Sequence, residues 1–225
     1  MDQSSQKLTK AALAATSWAL LGMLSYEEEV SGYDLKKWID WSVDLYYWSP
    51  SYSQIYTELK KLEALRLVTS RVEHDEGTRS RRLYKITPAG MEAVTEWTNE
   101  APVDPPVLKH SVLLRVAFGH LSNPTRLKEL LQEHVAYAEA RHRTAVEDAE
   151  GAEAEPAWAY SVIALRWAAK YYAAEREFAL ELMKEIDEAD AIMQKAPKGG
   201  FGKPRTTPGY WREVEKQVEA KREAD

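Results

Sequence analysis

The sequence predicts a mainly α-helical protein with one small β-hairpin, and three observations carry that expectation. Apolar residues recur at helical spacing along most of the chain, as in Ile55, Leu59 and Leu62, which places them on one helix face. Strand-like runs are confined to Leu67–His74 and Arg82–Ile86, with a polar, arginine-bearing turn from Asp75 to Arg81 between them. Helix-start signals recur at Ser31-Gly32-Tyr33-Asp34, Ser49-Pro50, Thr87-Pro88 and Asn123-Pro124. A small polar residue there caps free amides, and proline is tolerated where its missing N–H would have had no partner.

Taken in order, residues 9–26 predict a first helix with Leu13, Leu20, Leu21 and Leu24 inward. Ser31 caps a second helix that runs to about Trp41, with Asp34 replying and Leu35, Trp38 and Ile39 on its buried face. Ser49-Pro50 opens the third, whose outer face carries Tyr52, Ser53, Tyr56 and Lys60. The hairpin follows. Thr87-Pro88 then starts a helix through Met91, Val94 and Trp97. Pro102, Pro105 and Pro106 break the chain, which gives an N-terminal domain over 1–101.

A second, helical domain is expected over 102–195. Val107–Gly119 is strongly apolar, and Asn123-Pro124 starts a helix through Leu127, Leu131 and Val135. The acidic stretch Glu147–Glu155, which contains a glycine, is expected to be a loop, with one long helix from Trp158 to Asp190 after it. Residues 196–225 are expected to be a flexible Pro/Gly segment with a short charged helix over Tyr210–Glu223.

Composition narrows the function. The 225 residues, 44% hydrophobic and with eight tryptophans, predict a folded core. The absence of cysteine excludes disulfides and thiolate metal sites. No apolar run is long enough to span a bilayer, and the N-terminus lacks a secretory signal, so a cytoplasmic location without membrane association is expected. The net charge of −6 runs against the basic footprint of most DNA binders. Locally the balance reverses: Ser51–Lys85 holds eight Lys or Arg against five Asp or Glu.

A helix followed by a hairpin with a basic tip is the pattern of a winged helix-turn-helix. The major groove admits one helix, whose N-terminal residues meet base edges. Ser51, Tyr52, Ser53 and Gln54 suit that task, Gln54 as a two-pronged partner of adenine. Tyr56, Lys60 and Lys61 would lie nearer the phosphates, and Arg79, Arg81 and Arg82 would act from the wing. The competing reading is a winged helix that docks another protein and does not bind DNA, its basic surface simply solvated.

The segment resembles the PadR family of bacterial transcription regulators. The resemblance rests on Leu20-Leu21-Gly22-Met23-Leu24, Ser31-Gly32-Tyr33-Asp34-Leu35, Ser53-Gln54-Ile55-Tyr56 with Glu58-Leu59-Lys60-Lys61-Leu62, and Tyr84-Lys85-Ile86-Thr87-Pro88-Ala89-Gly90. The stretch from Pro105-Pro106-Val107 into Val112–Phe118 is similar to the C-terminal domain of the AphA virulence-activator type. The resemblance implies a repressor acting as a homodimer, with two winged helices on a palindromic operator whose half-sites lie roughly 34 Å apart. Dimerisation is assigned to the long helix through Trp158, Leu165, Trp167, Tyr171, Phe178 and Leu182, whose apolar stripe would otherwise be bare. The family also implies release of DNA by a small aromatic effector, for which Trp97, Trp158, Trp167, Tyr171 and Tyr172 are stacking candidates; aromatics at helical spacing also serve as core. Arg66 departs from the family, which has glycine there to close the helix in a left-handed conformation.

No cofactor, metal or enzymatic activity is expected. The five histidines show no ligand spacing, and His134 and His142 at best share a helix face. There is no P-loop, dinucleotide fingerprint or nucleophile elbow, and the carboxylates fall in solvated helical charge runs.

Overall fold

A computed structural model of the chain describes residues 13–74 and 80–224. Its elements, in order, are α1 (Ala15–Leu24), β1 (Val30–Ser31), α2 (Gly32–Trp41), α3 (Tyr52–Ala64), β2 (Val68–Glu73), β3 (Arg81–Ile86), α4 (Pro88–Glu100), α5 (Ser111–Ala117), α6 (Pro124–Ala152), α7 (Ala159–Met193) and α8 (Tyr210–Ala224). Short 3-10 turns follow α2, α5 and α6. The fold is mainly helical with a small antiparallel sheet, as the sequence predicts.

The chain divides into two compact units. The first runs up to Pro106 and takes in Ala145–Ala168; the second comprises Val107–Thr144 and Ala169 onward. The first unit owes its core to the predicted inward faces. Leu20, Leu21, Leu24, Leu35, Ile39, Ile55, Leu59 and Leu62 are all fully buried, and Val68, Tyr84 and Val94 close the same cluster. Trp38 only edges this core and Trp97 stays largely exposed, stacked on Trp18 at 5.2 Å.

The sheet has the order β1-β3-β2, with Val68 opposite Ile86, Glu73 opposite Arg81 and Val30 opposite Tyr84. Strand β1 is a correction to the sequence reading, which saw only the hairpin; two residues carry no period to detect. Arg81 likewise opens β3 and is not part of the turn. The turn itself, Asp75–Arg79, and the expected helix start at residues 9–12 lie outside the described residues.

In the second unit α6 and α7 run antiparallel. Lys128 pairs with Asp187 at 2.5 Å, Arg176 with Glu139 at 2.7 Å, and His142 donates from Nδ1 to the Ala169 carbonyl at 2.8 Å. Leu127, Leu131, Val135, Ala179 and Ile186 form the core, with Val112 and Val116 of α5 packed on it. The expected loop at Glu147–Glu155 is instead mostly helix, since α6 continues to Ala152. Glutamate and alanine are good helix formers, Ala145, Ala149 and Ala152 are buried along that turn of helix, and Gly151 faces open space. After α7, Lys198 and Pro204 form an isolated β-bridge, and α8 follows with nearly the predicted bounds.

Candidate nucleic-acid interface

Helix α3 is the element to which the rest of the first unit is fitted. The sequence placed its cap at Ser49; the structure places it at Ser51. Ser51 Oγ accepts from the Gln54 N–H at 3.3 Å while Gln54 Oε1 accepts from the Ser51 N–H at 2.7 Å. This capping box satisfies two amides that a helix start leaves orphaned. Pro50 therefore precedes the cap, and Ser49 turns to Lys36 (2.8 Å) and Asp40. Gln54 is drawn into the box too. Its carbonyl oxygen faces its own backbone, which disfavours the two-pronged adenine contact expected of it.

With Ile55, Leu59 and Leu62 inward, the opposite face of α3 presents Tyr52, Ser53, Tyr56, Lys60 and Lys61 to solvent. Tyr33 of α2 stacks on Tyr52 at 5.8 Å, with the rings 10° from parallel. Lys37 lies over Tyr33 at 4.7 Å and Lys36 over Tyr52 at 5.6 Å. The hydrogen bond to Tyr33 raises the Lys37 pKa, so this amine stays charged. Gly32 permits the close seating of α2: a Cβ there would stand 2.5 Å from the Tyr56 ring. Lys61 has Glu58 at 3.8 Å, whereas Lys60 has no partner among the described residues.

Arg66 answers the question raised by its departure from glycine. It adopts φ +60°, and its N–H donates to Glu63 O while that of Leu67 donates to Leu62 O, both at 2.9 Å. These two bonds make a Schellman C-cap with an arginine in the left-handed position where glycine is favoured. Thr87 Oγ1 donates to the Arg66 carbonyl at 2.8 Å and caps α4 by accepting from Gly90 N–H at 3.0 Å. Any Cβ on Gly90 would fall on the Leu67 carbonyl oxygen. The helix end, the start of β2 and the start of α4 are thus one joint.

The wing cations are engaged. Arg81 pairs with Glu73 at 2.6 Å, Arg71 reaches Glu29 at 2.6 Å and Glu73 at 3.2 Å, and Arg82 donates to Ser70 Oγ at 3.0 Å with Glu63 at 3.9 Å. The hydrogen bond from Arg81, and then that from Arg71, hold the Glu73 carboxyl below the ordinary carboxylate range. Arg79 lies outside the described residues.

Among the described residues, the aromatic residues proposed for an effector fall on different cavities. Trp158 stands against Trp41 at 5.4 Å and Trp38 at 6.0 Å, and these three with Glu28 and Lys37 line an open cavity of about 390 Å³. Trp97, Trp167 and Tyr171 are not among its walls; Tyr171 and Tyr172 line a different cavity in the second unit. The dimerisation candidates divide as well. Leu165 is buried within its own chain, Leu182 packs on the second unit's core and Trp158 is half-buried, while Trp167, Tyr171 and Phe178 remain exposed.

Sequence reading missed one constellation altogether. His110 Nε2 and His134 Nε2 both meet Glu175 Oε1, the latter at 3.0 Å. Burial pushes the Glu175 carboxyl up, but the hydrogen bonds from His134 and His110 bring it below its ordinary value. Burial, then the charge of Glu175, push the neighbouring Tyr171 hydroxyl up. These residues lie 65 and 41 positions apart, so no spacing motif announces them.

A helix-turn-helix braced by a three-stranded wing and continued by a helical unit defines the winged-helix class. Residues 20–96 match the transcriptional regulator PadR-like family. It is 26% identical over 124 residues to the negative transcriptional regulator PadR of Bacillus subtilis (strain 168), spanning 55% of this chain and 67% of the relative. The fold is shared with B. subtilis PadR solved with operator DNA (TM-score 0.66, 21% identity, 77% of this chain and 99% of the other). It is shared also with that protein solved with p-coumaric acid (0.60, 22%, 76% and 98%). The Vibrio cholerae virulence activator AphA is similar in fold as well (0.59, 23%, 78% and 99%). No helix among the described residues is long and apolar enough to cross a membrane.

Proposed function

We propose that this chain is a sequence-specific DNA-binding transcriptional regulator, acting as a homodimeric repressor on a palindromic operator. The observation that carries the reading is the outer face of α3. The helix is capped at both ends, buries Ile55, Leu59 and Leu62 on its inner face, and presents Tyr52, Ser53, Tyr56 and Lys60, the last without a partner among the described residues, on its outer face. That combination suits a helix set into the major groove, with the hairpin reaching the backbone. The negative regulator that the chain resembles, and its structure on operator DNA, support the reading. Trp167, Tyr171 and Phe178 on α7 offer an apolar surface for a second copy.

Gel shift on the chain's own promoter region at two salt concentrations tests the proposal. Sequence-specific retention that weakens with salt is expected; no retention at low salt overturns it in favour of a protein-docking winged helix. For the effector, the Trp38–Trp41–Trp158 cavity is the preferred seat, where a small aromatic compound would stack. Tryptophan quenching by a panel of phenolic and planar cationic compounds is expected to saturate below millimolar concentration and to be lost in Trp158→Ala; flat titrations remove the effector from the proposal.

A further inference from the structure

We propose that His110, His134 and Glu175 form a binding site for a divalent transition-metal ion of zinc's class. The three come from separate elements: the residue that caps α5, the middle of α6 and the middle of α7. One ligand atom from each lies within 4.8 Å of the others. A tetrahedral ion at about 2.0–2.1 Å from its ligands holds them about 3.4 Å apart. Two imidazoles and one carboxylate suit zinc, cobalt or nickel, whereas calcium and magnesium prefer all-oxygen sets.

The surroundings are those of a held site. All three side chains are mostly buried, Tyr137 stacks on His134 at 5.9 Å, and Tyr171 hydrogen-bonds Glu175. Such outer contacts fix the orientation of metal ligands. Cavities of about 410 and 450 Å³ adjoin the cluster, leaving room for the fourth, exchangeable ligand of an open zinc site.

Occupancy has a structural consequence. His110 Nδ1 accepts from the Leu113 N–H at 3.2 Å, so in the metal-free protein the imidazole proton sits on Nε2 and is donated to Glu175. A metal takes the Nε2 lone pair, the proton moves to Nδ1, and two N–H groups then face each other across the α5 cap. Metal uptake and capping of α5 are competing uses of His110.

The test is titration of the chelator-stripped full chain with Zn²⁺ by calorimetry and with Co²⁺ by visible absorption. One ion per chain with micromolar or tighter affinity is expected. Glu175→Gln and His134→Gln should each weaken binding at least tenfold with the helical circular dichroism retained, and His120→Gln, outside the cluster, should leave it unchanged. Amide exchange at Leu113 should quicken on adding Zn²⁺. Absent saturable binding, or both cluster variants binding like the parent, overturns the site; a bound ion with unaltered Leu113 exchange overturns the coupling to α5. None of these readouts depends on DNA binding.

Discussion

Helix α3 and the hairpin β2–β3 both expose cations, but they hold them differently. Lys60 stands on the outer face of α3 with no partner among the described residues, and Lys61 has only a loose carboxylate neighbour. On the hairpin, Arg71, Arg81 and Arg82 are each tied to a glutamate or to Ser70. A phosphate meeting Lys60 displaces only water and counterions, whereas one meeting Arg81 must compete with Glu73. The helix is prepared for an anion and the wing is guarded. This is how a chain of net charge −6 can keep a usable positive surface, confined to the helix.

The largest expected effect breaks the helix itself. Leu59 is fully buried on the inner face of α3, so Leu59→Ala should cost about 3 kcal/mol of stability, read in urea unfolding. Both surfaces would be lost with it. Lys60→Ala should instead leave the unfolding midpoint in place while lowering DNA affinity about tenfold on any sequence and flattening the salt slope by about one. Equal binding by parent and variant would remove α3 as the contact surface. A smaller effect is expected where helix and hairpin join. Arg66→Gly relieves the left-handed conformation and should stabilise the fold by about 1 kcal/mol; no gain in the thermal midpoint would show that the Schellman cap carries no strain.

The two regions were unequally legible in the sequence. The inner face of α3 follows from a local period, and Ile55, Leu59 and Leu62 fall where that period puts them. The capping residue was displaced by two because Ser49 and Ser51 offer the same chemistry, and only the position of Gln54, three residues after Ser51, distinguishes them. The state of the wing arginines was not legible, since Glu29 and Arg71 are 42 residues apart. The same limit hid His110, His134 and Glu175, whose meeting depends on how three helical segments pack. The acidic run at 147–152 misled for another reason: charge and one glycine suggested a loop, while buried alanines on the other side kept it helical.

The smallest expected effect is the most discriminating for the guarded wing. Glu73 accepts from both Arg81 and Arg71, and these bonds hold its carboxyl below the ordinary range, so it is ionised at neutral pH and both arginines stay engaged. Exposed pairs of this kind add little to stability, and Glu73→Gln should leave unfolding almost unchanged. It should nevertheless remove one negative charge from the wing and loosen its hold on Arg81, while Arg71 keeps Glu29, raising DNA affinity a few-fold at low salt and steepening the salt dependence. Arg81→Ala should do the reverse, and more weakly than Lys60→Ala, because Arg81 must first leave its glutamate. If Arg81→Ala costs as much binding as Lys60→Ala, the wing is not guarded and the contrast between the two regions fails.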